Sequence, residues 1–285
     1  MAMNRERGPL VTFEFTDRDF SRLRDLVRKL TGISLSDQKR ELVYGRLTRR
    51  LRALGIANFR DYCDFLEANL DHELEHFTNA ITTNLTSFFR ENHHFEMIAG
   101  EPLHGWLARR LQENGRLRFW SAGCSTGEEA YSLAITLAET IPDVFNRDVK
   151  ILATDLDTNV VATGRAGIYP ENRIEALSGE RKRTWFQKGS GDSAGMVKVA
   201  DGLRGMVTFN PLNLMGDWPM RGPFDIIFCR NVVIYFDKPT QATLFDRYAN
   251  MLCDDGVLFI GHSETMAEIC TRFDLVAKTM YRKLR

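Results

Sequence analysis

The stretch FWSAGCSTGEEAYSLA, Phe119–Ala134, decides the fold. Its first residues close an apolar run, GRLRFWSAG, that reads as a buried strand, and STGEEAYSLAITLAET has the spacing of a helix. Between them, Gly123 and Gly127 permit a tight turn and a close approach of backbone to a ligand. A phosphate-cradling loop requires Gly-Lys-Ser/Thr at the helix start, and a dinucleotide loop requires Gly-x-Gly-x-x-Gly; the sequence has neither. Glu128 and Glu129 stand where a pyrophosphate would lie on the helix N-terminus, and two carboxylates repel phosphate. S-adenosylmethionine carries an ammonium, a sulfonium and one carboxylate, so it is net cationic and suits acidic neighbours. The plainer reading is that the glutamates complement the helix dipole. It explains one of them more economically than the pair plus two glycines.

Working outward, strands and helices alternate. VKILATDLD, PFDIIFCRN and GVLFIGHSE read as strands, and FDLVAKTMYRKL as the last one. TNVVATGRAGIY and KPTQATLFDRYANML read as helices. The expected fold is α/β: a doubly wound, Rossmann-like parallel sheet that binds ligands outside the carboxyl ends of its strands. TWFQKG, MVKVAD and GMVTFN interrupt the alternation, so a small antiparallel β-subdomain is expected at about 184–210. Ahead of the sheet, residues 16–78 read as helices only. Thr16 and Asp19 form a capping pair before the first, and the second carries Val43, Leu47, Leu51 and Leu54 on one face and ends at Gly55. The expected domains are an all-α unit over 1–78, a linker over 79–95, and an α/β unit over 96–285.

The bulk numbers exclude several classes. A hydrophobic share of 44% supports a real core, and 38 basic residues balance 38 acidic ones, so overall charge announces neither a nucleic-acid nor a membrane binder. Five cysteines without a Cys-x-x-Cys pair argue against a disulfide framework or zinc ribbon. MAMNRERGPLVTFEF lacks the apolar segment of a signal peptide, and the longest apolar run is too short to span a bilayer. A soluble, cytoplasmic protein is expected.

Candidate site residues follow from position. Asp155 ends the second strand, where a carboxylate accepts hydrogen bonds from ribose hydroxyls; Asp157 is placed as a helix cap. Asn213 follows the insertion and Asn231 closes a buried strand. For Asn231 an Asx turn is the plainer alternative. Before the α/β unit, TTNLTSFFRENHHFE (Thr82–Glu96) holds more hydrogen-bonding side chains than a linker requires. His93 and His94 are adjacent, so on a helix they diverge by about 100° and no metal site is expected.

TNLTSFFRENHHF, FWSAGCSTGEEAYSLA, LATDLD, FDIIFCRNVVIYFD and LFIGHSE together resemble the CheR family of chemotaxis receptor methyltransferases. The resemblance implies methyl transfer from S-adenosylmethionine to glutamate side chains of bacterial chemoreceptors, giving glutamate methyl esters and S-adenosylhomocysteine. It also implies that Asn84, Thr86, Arg90, Glu129, Asp155, Asn213, Leu214, Asn231 and Val232 line the cofactor site beside Gly123. Arg90 and Tyr235 are implied to lie next to the transferred methyl. The first strand ends in Trp120-Ser121 rather than an acidic residue, which leaves the ammonium contact to Glu129.

Expected partners are the cytoplasmic helices of a methyl-accepting receptor, met by Arg46, Arg49 and Arg50 on the second helix. A solvated basic face is the ordinary alternative for these arginines and their neighbour Arg52. The inserted strands offer an edge for the receptor's C-terminal peptide. A monomer, with no nucleic acid and no membrane insertion, completes the expectation. The rivals are a methyltransferase of the same fold acting on RNA or a small molecule, and a non-catalytic adaptor with a cofactor pocket.

Overall fold

A computed structural model describes residues 12–101 and 103–284. The stretch Met1–Val11, on which most of the signal-peptide reading falls, lies outside the described residues. Two compact units emerge, one holding residues up to Leu30 with Ser34–Thr82, the other Thr31–Ile33 with Thr83 onward.

The first unit contains α1 (Asp17–Thr31), α2 (Arg40–Leu54), α3 (Phe59–Ala68) and α4 (Leu70–Ile81). The capping pair forms at the start of α1: the Asp19 carboxylate accepts from the Thr16 amide at 2.9 Å, and the Asp19 amide donates to Thr16 Oγ1 at 3.2 Å. At the end of α2, Gly55 adopts φ +68°, the left-handed cap that a glycine takes without strain. Phe20, Leu23, Val27, Val43, Leu47, Leu51, Phe59 and Phe77 bury the apolar faces together.

The arginines of α2 are not an open basic face. Arg46 Nη1 donates to the carbonyls of Ile81 and Thr82 at 2.8 and 2.5 Å. Arg50 pairs with Glu73, Nε to Oε1 at 2.8 Å and Nη2 to Oε2 at 2.5 Å, and Tyr62 donates to the same carboxylate at 3.0 Å. Glu73 is only 2% exposed. A helical wheel shows which residues leave the apolar stripe, not what stands opposite them: Arg46 and Arg50 of the expected patch are engaged within the unit, and Arg49 alone of the three is exposed.

The second unit is built on a seven-stranded sheet. Its strands are β1 (Arg116–Ala122), β2 (Asp148–Asp155), β6 (Val207–Pro211), β7 (Phe224–Cys229), β8 (Leu252–Ile260), β9 (Phe273–Ala277) and β10 (Met280–Lys283), in the order β6-β2-β1-β7-β8-β10-β9. The first five strands in that order run parallel, whereas β10 is antiparallel to β8 and to β9. The expected single last strand is therefore a hairpin, turned at Thr279 with φ +53°, and the sheet is mixed. Helices α5 (His93–Ala99), α6 (Leu103–Asn114), α7 (Glu128–Thr140), α8 (Thr158–Ala166), α10 (Asp201–Met206) and α11 (Lys238–Met251) accompany it. No described helix is long and apolar enough to cross a membrane.

A three-stranded antiparallel sheet forms from β3 (Ile168–Pro170), β4 (Phe186–Lys188) and β5 (Met196–Val199), in the order β3-β5-β4, with α9 (Gly179–Trp185) leading into β4. Two expectations change here. Val207–Pro211 joins the main sheet beside β2 instead of the insertion. Ile168–Tyr169, read as helix, supplies the third small strand, because Gly167 ends α8 at φ +63°. The insertion thus draws its strands from residues 168–199.

Replacing Arg50 by alanine strands the buried Glu73 carboxylate. Removing one partner of a buried pair costs about 3 kcal/mol, so chemical denaturation of Arg50→Ala should show loss of that order in the helical unit.

Candidate active site

Four adjacent parallel strands, β6, β2, β1 and β7, end on the same edge of the sheet, and the predicted cofactor residues follow their carboxyl ends. Gly123 and Glu129 come after β1, Asp155 ends β2, Asn213 and Leu214 come after β6, and Asn231 and Val232 after β7.

The glycine loop is tight. Gly123 has φ +93°, and a Cβ there would meet Val232 Cγ2 at 2.3 Å; Gly127 has φ +97°, and a Cβ there would meet Gly164 Cα at 2.9 Å. The Gly123 and Cys124 amides donate to the Thr154 carbonyl at 2.8 and 2.9 Å, tying the loop to the end of β2. The Ser125 amide then donates to Asp155 Oδ2 at 2.8 Å and the Asp157 amide to Asp155 Oδ1 at 3.0 Å. Burial outweighs these bonds and pushes the Asp155 carboxyl up to about 6. Asp157 caps α8 through Asn159 at 2.9 Å and also accepts from Asn84 Nδ2 at 2.6 Å.

The two adjacent glutamates separate in role. Glu129 accepts from Ser121 Oγ at 2.7 Å and lies 3.3 Å from Arg230 Nη1; burial raises its carboxyl against the opposing charge of Arg230. Glu128 is buried and accepts from Thr126 Oγ1 at 2.5 Å and from Arg173 Nε at 3.0 Å. The earlier choice between ligand contact and helix dipole therefore leaves Glu129 beside the glycine loop and ties up Glu128 elsewhere.

Residues 83–92 form a strap at this edge. The Asn84 carbonyl accepts from Ser125 Oγ at 3.0 Å, joining strap to glycine loop. The Phe89 amide donates to Ser132 Oγ at 2.8 Å, and Arg90 Nη1 donates to the Leu85 carbonyl at 2.8 Å. Phe89 and Glu91 both hold φ +54°, a left-handed conformation that the strap keeps without glycine.

Two residues outside the expected site set knit the site together. Arg230 is 4% exposed, and its guanidinium donates to the Arg90 carbonyl while lying 3.5 Å from Glu91 Oε2. Glu91 accepts from Asn231 Nδ2 at 3.2 Å, from the His262 amide at 3.1 Å and shares a 2.7 Å bond with His262 Nδ1. Burial alone would raise the Glu91 carboxyl, but the His262 bond and the Arg230 charge outweigh it and hold it at about 2. The odd polar pair Arg230-Asn231 at the end of an apolar run was the available signal.

Asn231 sits at φ +58° with its amide on Glu264 Oε2 at 2.9 Å, and Asn213 Oδ1 accepts from the Met215 amide at 3.0 Å. The Leu212 amide donates to the Asp155 carbonyl at 2.8 Å, which brings the Asn213-Leu214 turn beside Asp155. Tyr235 ends a short turn, Val233–Tyr235, with its amide on the Val232 carbonyl at 3.1 Å.

The histidines need correction. Donor atoms of Glu91, His93 and His94 all lie within 4.8 Å of one another, closer than divergence on a helix suggested. Both Glu91 oxygens already accept hydrogen bonds and Arg230 adds a fixed positive charge beside them, so a cation entering there would displace existing partners. Burial lowers His94 to about 3, leaving a neutral ring bonded to Thr279 Oγ1 at 2.8 Å.

The donor set fits S-adenosylmethionine. Carboxylates at Glu129 and Asp155 suit a cationic ligand with ribose hydroxyls, and the absence of a side chain at Gly123 keeps the loop close to Val232.

Comparison with known proteins agrees with this geometry. Residues 18–82 match the family described as CheR methyltransferase, all-alpha domain, and residues 84–282 match CheR methyltransferase, SAM binding domain. The chain is 45% identical over 271 residues to Chemotaxis protein methyltransferase 2 of Pseudomonas aeruginosa, covering 94% of each. It is 44% identical over 268 residues to Chemotaxis protein methyltransferase of Escherichia coli, covering 93% of this chain and 91% of that one. With both family domains matched in order along the sequence, the chain belongs to the CheR family of S-adenosylmethionine-dependent chemotaxis methyltransferases.

Proposed function

We propose that this methyltransferase acts on glutamate side chains of bacterial chemoreceptors, forming glutamate methyl esters and S-adenosylhomocysteine. The observation that carries the reading is the convergence of Gly123, Glu129, Asp155, Asn213, Asn231 and the Asn84–Arg90 strap at the carboxyl ends of four adjacent parallel strands. The cofactor supplies an electrophilic methyl group on its sulfonium.

A glutamate carboxylate is ionised at neutral pH and needs no general base. The residues have instead to bind, orient and exclude water. Asp155 would accept hydrogen bonds from the ribose hydroxyls and Glu129 would face the ammonium. Asn84, Thr86, Asn213, Leu214, Asn231 and Val232 line the remainder. The planar guanidinium fork of Arg90 can hold a carboxylate, and Tyr235 orients the attacking oxygen. Leu85, 77% exposed between Asn84 and Thr86, and Ile234, 51% exposed beside Tyr235, offer apolar contact to a protein acceptor and favour it over a small molecule.

On the helical unit, exposed Arg49 remains available for an acidic receptor helix. The outer strand β4 of the small sheet is the proposed edge for a C-terminal receptor peptide. Labelled cofactor incubated with receptor membranes, with and without the receptor tail, and with RNA, tests the acceptor. Label in RNA and none in receptor would overturn the proposal, and equal rates on both receptors would remove the small sheet from recognition.

Three results are expected. Arg90→Ala should fold normally and lose roughly 10²-fold in turnover, the scale set by removing one fixed electrostatic donor; near-native turnover would exclude Arg90 from the chemistry. Binding of S-adenosylhomocysteine, followed by calorimetry between about pH 5 and 8, should weaken as pH falls through the raised Asp155 value of about 6. The sign follows from the carboxylate being the hydrogen-bond acceptor: protonation removes acceptor capacity, and Asp155→Asn should flatten the profile. Arg49→Glu should slow receptor methylation most at low ionic strength, where screening is weakest, and equal slowing at all salt concentrations would argue against an electrostatic contact.

A further inference from the structure

We infer that Arg173 is a positioning residue of the methyl-transfer site, mounting the Asn84–Arg90 strap on the first turn of α7. The assignment rests on the reading of the strap given above.

Arg173 comes from the one-turn helix Glu171–Ile174 that follows β3, in the insertion. Its Nη2 donates to the Thr86 carbonyl at 2.9 Å, while Nε and Nη2 both face Glu128 Oε1. One planar guanidinium therefore joins three segments far apart in sequence: the insertion, the strap and the helix of the glycine loop. The Glu128 side chain is wholly buried, and Thr126 Oγ1 holds its second oxygen at 2.5 Å. A buried carboxylate in this position demands a cation, so the place of Arg173 is fixed by charge and the strap carbonyl is fixed by Arg173.

Two further contacts from the insertion reach the same strap. The Phe88 ring stands edge-on to Tyr169 of β3 and to Phe186 of β4, each at 5.3 Å. Arg181 of α9, paired with Glu139 at 2.7 Å, lies over the Phe89 ring at 4.1 Å. Arg90 is the next residue. The aromatic contacts hold the strap by its side chains, whereas Arg173 holds the backbone at Thr86, the strap residue between the Asn84 and Arg90 contacts. Loss of that bond frees the carbonyl without removing any residue that touches cofactor or acceptor.

Lysine separates the two tasks of Arg173. Its single ammonium can neutralise Glu128 but lacks the rigid fork that serves Glu128 and Thr86 together. Arg173→Lys should therefore unfold near the native temperature, whereas Arg173→Met should unfold earlier. In the lysine variant, turnover should fall roughly 10- to 100-fold, the cost of misplacing a catalytic group by about an ångström, with little change in KM for the acceptor. Hydrogen exchange of the amides over residues 84–90, read on the free protein, should accelerate. A lysine variant with unchanged turnover, or with unchanged exchange over the strap, would overturn the assignment. Exchange needs no acceptor, so a native chain inactive on receptors would sink the substrate reading while the Arg173 assignment is still decided by the strap.

Discussion

Burying a guanidinium almost completely is costly unless close anionic partners compensate it, and Arg230 is in that position at the end of β7. Its partners are Glu91 of the strap and Glu129 of the glycine-loop helix, with the Arg90 carbonyl as a third acceptor. Phe95 and Phe228 present their rings at 5.5 and 5.8 Å, so the cation is held on its faces as well as its edges. Strap, helix and strand are thereby committed to one arrangement, because moving any of them leaves a charge buried alone.

The carboxylates around this edge divide the work. Glu91 answers Arg230 and gathers Asn231 and His262. Glu264 accepts from the amides of Gly261, Asn231 and Ile234, closing the loop that carries Asn231, Val232 and Tyr235. Glu128 is spent on Arg173. Glu129, which also faces Arg230, and Asp155 are the acidic groups nearest the loop, both with carboxyls pushed upward by burial. A site that holds raised carboxylates is destabilised when ionised and empty, and a cationic ligand with hydroxyl donors relieves it.

How much of this was legible follows from range. Asp155, Gly123 and the alternation of strands and helices are local signals: a strand end, a turn and a period. The capping pair at Thr16 and Asp19 is equally local. Val207–Pro211 alternates inward and outward as a strand in either sheet would, so periodicity could not say which sheet it joins. Arg46 and Arg50 leave the apolar stripe of α2, yet their acceptors lie 23 to 36 residues away and carry no mark in the sequence. Arg173 is harder still, with acceptors 45 and 87 residues distant. Resemblance filled the strap residues Asn84, Thr86 and Arg90, which spacing alone had marked only as an unusually polar linker.

The bond from Arg230 to the Arg90 carbonyl spans 140 residues of chain. Closing so long a loop costs entropy, and contacts of that range form late. On a growing chain, the strap and the glycine-loop helix emerge well before the strand that locks them. Until β7 enters the sheet, Glu91 and Glu129 remain solvated and unpaired with their arginine. The order of synthesis therefore sets the order of assembly: a chain truncated before β7 would keep the contacts of the strap with the glycine loop, α7 and the insertion, but would lack the cation that pairs Glu91 with Glu129.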